Sequence, residues 1–181
     1  MEIKLRKISD FTLFFIVYAI LGWVYEVVLE TFIYQWGFSN RGVLFGPWLP
    51  VYGFGAIIFL MLWYPLIKGK PAEKKLMYLP VIFILTMLTA TAVELGTTYV
   101  FDLIGKPWPW QTYADYDINF QARIALNPSL RFGLGGVAFL YVVQPILDKI
   151  SELMSDKAIK KAAVFILLLL VCDMIYTFFI K

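Results

Sequence analysis

Asn40 to Gly55 reads NRGVLFGPWLPVYGFG, and it lies between two long apolar runs. Its sixteen positions hold one charge, Arg41, two prolines and four glycines, beside segments made mostly of Leu, Ile, Val and Phe. A chain so apolar has no generic need for such a stretch. Gly42, Gly46 and Pro47 suit a tight, non-helical entry into the run that follows, re-entrant in character. Backbone of that kind is tolerated at membrane depth only where it is buried in protein or lines a wet cavity.

The surrounding composition makes the membrane setting explicit. Of the 181 residues, 61% are hydrophobic and 16% charged, with a mean hydropathy of +0.75. Soluble domains run at roughly 45–50% apolar and about 25% charged. The length allows a handful of spans in a single membrane domain, residues 1–181, with no separate soluble domain. Net charge is +3. In such a chain this reports topology, and no nucleic-acid partner is expected.

A transmembrane helix needs about 20 mostly apolar residues. Working outward from the opening stretch, five segments qualify, and the fold expected is all-α and polytopic. The spans run from about Phe11 to Ile33, Trp48 to Ile67, Met77 to Ile104, Pro128 to Leu147 and Ile159 to Ile180. Pro47 and Pro50 fall near the start of the second, where proline costs least. Asn127 with Pro128 reads as the cap of the fourth. The first run is too long for the apolar core of a signal peptide, about 7–15 residues, and no small-x-small cleavage site follows it. It reads as a retained span.

Charge sets the expected orientation. Lys4, Arg6, Lys7, Lys68, Lys70, Lys74, Lys75, Lys149, Lys157, Lys160 and Lys161 fall on one side. Arg41, Lys106, Arg123, Arg131 and Lys181 fall on the other. Eleven against five, in short connections, puts the amino terminus inside and the carboxyl terminus outside. Ile150, Leu153 and Met154 in the last inner connection have the spacing of a small amphipathic helix.

Ionisable groups inside spans are costly and are functional candidates by default. Here they are Glu26, Glu30, Glu94, Asp102 and Asp173. Glu26 and Glu30 share a helix face, and Glu94, Thr98 and Asp102 form a stripe. In the expected orientation all of them fall in the outer half, with Arg41, Arg123 and Arg131 on that side. Two readings stay open. The arginines could neutralise Glu26 and Glu94 in a network that locks helices and loops. Alternatively, the same groups could hold a headgroup or an ion in a polar pocket. Asp173 and Glu30 read most easily as interfacial. The aromatic residues of the segment 105–126 (Trp108, Trp110, Tyr113, Tyr116) suit the headgroup level. Gly53, Gly55, Gly133, Gly135 and Gly136 read as close-packing positions between helices.

Several chemistries are disfavoured. The chain has no histidine and one cysteine, Cys172, so His-based triads, His metal sites and an internal disulfide are excluded. There is no GxxxxGK[ST] motif, so no ATP-binding P-loop is carried here. No cofactor or metal is expected. No internal repeat supports an inverted-repeat transporter.

Four blocks carry a family resemblance: YAILGWVYE from Tyr18 to Glu26, the opening stretch, the Thr-rich approach to Glu94, and NFQARIAL from Asn119 followed by SLRFG from Ser129 to Gly133. With these blocks the chain resembles the small bacterial membrane proteins of the CmpB-type ABC-transporter permease family. It departs from the pattern at Ala122 and Phe132, where the family tends to have glycine and tryptophan. The stretch from Trp110 to Asp117 also stands in place of a Trp-Asp-Tyr block. The resemblance implies a multi-pass protein of the bacterial plasma membrane and a transporter membrane subunit working with a separate ATPase; five spans are few for a pathway, so at least a homodimer would be needed. The alternative is an intramembrane enzyme or lipid-headgroup binder at the outer leaflet, where arginine suits phosphate oxygens and a desolvated carboxylate suits general-base chemistry. The residues expected to bind substrate are Glu26, Asn40, Arg41, Trp48, Tyr52, Glu94, Asn119, Arg123 and Ser129, with membrane lipid as a further partner.

Overall fold

A computed structural model describes residues 2–108, 110 and 112–180. Helix dominates. In order come α1 (Glu2–Val28), continued by one π turn (Leu29–Ile33), α2 (Pro50–Leu62) with a short 3-10 turn (Tyr64–Leu66), and α3 (Ala72–Leu103). A small hairpin follows, β1 (Asn119–Phe120) and β2 (Ile124–Ala125). Then come α4 (Leu126–Ala138), a π turn (Phe139–Val143), α5 (Gln144–Leu153), α6 (Asp156–Ile175) and a last π turn (Tyr176–Ile180).

Four helical stretches are long and apolar enough to cross a membrane: Arg6–Ile33, Ala72–Leu103, Leu126–Leu153 and Asp156–Ile180. The stretch expected as the second span forms the apolar helix Pro50–Leu66, which is shorter. Much of the apolar side-chain surface faces outward, as at Met77, Leu103, Leu153 and Phe179. In lipid such surface carries no penalty, and backbone groups are satisfied within the helices. Threonine hydroxyls along α3 follow the same rule: Thr86, Thr89 and Thr97 each donate to the carbonyl four residues earlier, at 2.7–2.8 Å.

The chain divides into two compact units, one holding residues up to Ile57 and from Ile146, the other Ile58–Pro145. In the first, α1 packs against α6, with Ile16, Tyr18 and Ala19 buried. Pro50 takes the first helical position of α2, as expected. The first turns of α1 and the α5–α6 connection are tied by Arg6 and Asp10. Arg6 donates to the carbonyl of Ser151 at 2.6 Å and to Asp10 and Asp156, while the Ser151 hydroxyl donates to Asp10 at 2.6 Å. Ser155 caps α6 by accepting from the Ala158 amide.

In the second unit α3 and α4 pack closely. A Cβ on Gly133 would come within 2.7 Å of the Phe83 ring, and one on Gly136 within 2.4 Å of Thr86. These are the close-packing positions the sequence predicts, whereas Gly55 and Gly135 face open space. Helix α3 ends in a Schellman motif: Lys106 N donates to Phe101 O at 3.0 Å and Gly105 N to Asp102 O at 3.1 Å, with Gly105 at φ +65°. The start of α4 differs from expectation. Asn127 is not its cap; the helix begins at Leu126 with extended Ala125 before it and no side-chain cap. Pairing sets this boundary, because β2 runs straight into the helix and Leu126 N donates to Ile118 O at 2.9 Å. The amphipathic segment expected in the last inner connection is α5, continuous with α4 through the π turn. Pro145, which lacks an N–H, comes two residues after that turn ends, and a widened turn is how a helix accommodates such a gap.

Candidate functional site

In the first unit the polar residues around the stretch Asn40–Gly55 are held in closely spaced hydrogen-bonded groups. Trp23 Nε1 donates to Asn40 Oδ1 at 2.7 Å, and Asn40 Nδ2 donates to the carbonyls of Leu44 and Phe45 at 3.2 and 2.9 Å. Asn40 thus closes the loop upon itself. Arg41 reaches Glu30 Oε1 at 3.3 Å and Glu26 Oε2 at 3.8 Å. Ser39 donates to the other oxygen of Glu30 at 2.6 Å, and the Tyr52 hydroxyl donates to Glu26 Oε1. Glu30 sits in the π turn and is buried.

Asp173 holds the other end of the loop. Its carboxylate accepts from the amides of Phe45 and Gly46 at 2.9 and 2.7 Å, from Trp48 Nε1, and from the Thr177 hydroxyl at 2.9 Å. This explains Gly46: a Cβ there would lie 2.7 Å from Asp173 Oδ2 and 2.6 Å from the Trp48 ring. Every carboxylate oxygen of Glu26, Glu30 and Asp173 therefore has a partner.

The second unit is arranged differently. Glu94 on α3 is buried, with 9% of its surface exposed. Tyr113 donates to its Oε1 at 2.7 Å, while its Oε2 is buried without a hydrogen-bond partner. Among the described residues no ion pair reaches it; Arg123 pairs with Asp102 instead. Tyr113 is positioned by its amide, which donates to Ala122 O at 2.9 Å, and by an edge contact with Tyr116. One turn earlier on α3, Thr91 donates to Ser129 at 2.8 Å, and Ser129 donates to Ala125 O at 2.8 Å.

Arg123 is held flat. Its guanidinium lies 4.4 Å from the Tyr99 ring centre and 4.8 Å from that of Trp108. Its Nε donates to Gln121 Oε1 at 3.2 Å, and Tyr99 donates to the same oxygen at 3.0 Å. Trp108 Nε1 donates to Asp102 at 2.9 Å. Arg123 Nη1 and Trp110 Nε1 are buried donors without partners. The turn that aims Arg123 has Gln121 and Ala122 at φ +54° and +56°, and Asn119 supports it by accepting from Ala122 N at 3.0 Å. Glycine takes such φ values at no steric cost, so alanine at position 122 holds backbone strain that glycine would not.

A family model described as "Putative ABC-transporter type IV" matches residues 13–178. The chain belongs to the ABC_trans_CmpB family. No match is found among curated proteins or among solved structures.

In this CmpB-family chain the nine residues expected to bind substrate fall into two groups. Glu26, Asn40, Arg41, Trp48 and Tyr52 come together in the first unit, in contacts that mutually satisfy them. Glu94, Asn119, Arg123 and Ser129 belong to the second, where Ser129 joins Thr91, Asn119 supports the turn, and Arg123 leaves Glu94 to Tyr113. The stripe of Glu94, Thr98 and Asp102 splits by burial, with the first two buried and Asp102 at the exposed end. Asp173 was the least expected member and is the most highly coordinated. Its signal in sequence is that it is the one acid in the last apolar run. Tyr113 and Trp110 are visible in the sequence only as members of an aromatic-rich segment.

Proposed function

We propose that this chain is the membrane component of a bacterial plasma-membrane transport system, driven by an ATPase on a separate chain and working as at least a homodimer. The observation that carries this reading is the family match across 13–178. The four long apolar helices agree with a membrane role. The lack of a GxxxxGK[ST] motif means nucleotide hydrolysis would come from a partner. The excess of lysine and arginine on alternate connections supports an inside amino terminus, with Pro50–Leu66 as a short fifth span. In this reading the Glu26–Arg41–Glu30 and Asp173 contacts are structural, and ligand handling belongs to the Glu94 and Arg123 region. Crosslinking in intact cells, followed by purification in mild detergent, tests it. Recovery of an ATPase with the tagged chain is expected; repeated recovery of the chain without any ATPase would remove the reading.

A second reading, a lipid-headgroup protein of the outer leaflet, is favoured by one observation. Arg123 is stacked on two rings with a buried N–H left over, and stacked guanidinium groups suit phosphate oxygens. Lipid profiles of a deletion strain and of an Arg123→Ala strain would both differ from wild type. Identical profiles in all three strains would count against it.

A further inference from the structure

We infer that Glu94 is the anchor of a binding site for an ammonium group, the charged end of a small amine or of an amine-bearing lipid headgroup. A carboxylate buried in a span is retained at large cost unless something positive or hydrogen-donating meets it. Glu26 and Glu30 share Arg41, and Asp102 has Arg123. Glu94 has a single neutral donor, the Tyr113 hydroxyl, on one oxygen, and its second oxygen is unmet. The electrostatic deficit is thus localised at Oε2.

The chemistry of the deficit narrows the occupant. A metal cation would require several oxygen ligands at once. An ammonium is satisfied by one carboxylate together with nearby acceptors. Two further unmet groups in this unit, Trp110 Nε1 and Arg123 Nη1, are donors. Such donors suit oxygen acceptors and do not compete with Glu94 for an ammonium. Space is present one helical turn away: Thr91 and Ser129 line a groove of about 290 Å³, walled otherwise by residues such as Met87, Ile124 and Leu126. Tyr113, on the segment joining α3 to the hairpin, covers Glu94 in the present conformation. Ligand entry requires that Tyr113 move off Glu94, and its described neighbours from 112 to 118 lie outside helices and strands, where such movement is least costly.

This inference rests on the transport reading only for what the ligand is used for, because binding is read on the purified chain without any ATPase. The protein is placed in phosphatidylcholine nanodiscs. Thermal midpoint and tryptophan fluorescence are followed on titration with ethanolamine, with butylamine, and with sodium chloride and ethylene glycol as controls. A saturable rise in midpoint with the amines is expected, since a ligand that binds only the folded state stabilises it. Glu94→Gln should weaken this by roughly 30-fold or more, the usual loss on removing one member of a buried charge pair. Glu73→Gln, at the exposed start of α3, should keep it. If Glu94→Gln does not fold, Glu94→Asp, which retains the carboxylate, is expected to bind more weakly than wild type. A lipid source predicts instead that nanodiscs doped with phosphatidylethanolamine give a protein–lipid adduct by native mass spectrometry, lost in Glu94→Gln. An equal response to sodium chloride, or no difference between wild type and Glu94→Gln for both amines and lipid, overturns the inference. An absent ATPase partner, by contrast, would overturn the transport reading alone.

Discussion

The carboxylates of the first unit and the buried carboxylate of the second face the same physical problem and meet it differently. Glu26, Glu30 and Asp173 are each met by donors from the loop between α1 and α2, joined by Tyr52 of α2 and by Thr177. Glu94 has one donor and one unmet oxygen. A buried polar group without a partner forfeits about 1–3 kcal/mol, and a protein that bears that cost at one position while avoiding it at three others has a use for it. On the inference drawn above, complete pairing of these carboxylates marks a fastening, and the incomplete pairing of Glu94 marks a binding place.

Removing the fastening should have the largest effect. Asp173→Ala takes away the acceptor for two amides, an indole N–H and a hydroxyl at once. It is expected to destabilise the protein by about 2–4 kcal/mol, with new protease cleavage between Tyr34 and Leu49; an unchanged melting midpoint and cleavage pattern would break the comparison. Tyr113→Phe leaves Glu94 with neither oxygen paired and should cost about 1–2 kcal/mol in detergent unfolding. Restoration of that loss by pairing it with Glu94→Gln would sharpen the case, since the double variant removes the charge that needs the hydroxyl. Arg41→Ala should cost about 1 kcal/mol, because the side chain is part-exposed and such ion pairs are weak. The smallest effect is expected for Glu94→Gln alone, a change below about 1 kcal/mol in either direction, because the substitution relieves a buried charge while keeping the shape. A loss as large as that of Asp173→Ala would mean that Glu94 is a fastening too.

Much of the fold is legible without coordinates. Long apolar runs can be satisfied only as helices in lipid, so the four long helices follow from composition and length. Pro50 at a helix start and Gly133 and Gly136 at a helix contact follow from local sterics. Boundaries set by pairing do not. Asn127 has the chemistry of a cap, but β2 ends at Ala125, only two residues upstream, so the helix starts before it.

The candidate site was legible by residue type and not by partner. Nine expected residues are present as polar groups at spans and loops, yet the sequence places Arg123 and Glu94 only on a common side of the membrane. In the structure Tyr99, Trp108 and Gln121 hold the guanidinium on Asp102, and the Tyr113 hydroxyl reaches Glu94.

The stretch Asn40–Gly55 shows the same division. Its glycines, prolines and lone arginine, set between apolar runs, mark a non-helical entry to a helix, because proline and glycine act on their own backbone. That Asn40 would close the loop on Leu44 and Phe45, and that Asp173, more than a hundred residues later, would hold Gly46 and Trp48, depends on side chains meeting across sequence distance. Local sterics are written residue by residue in the sequence. Which donor finds which carboxylate, and which carboxylate is left waiting, is decided only when the helices pack.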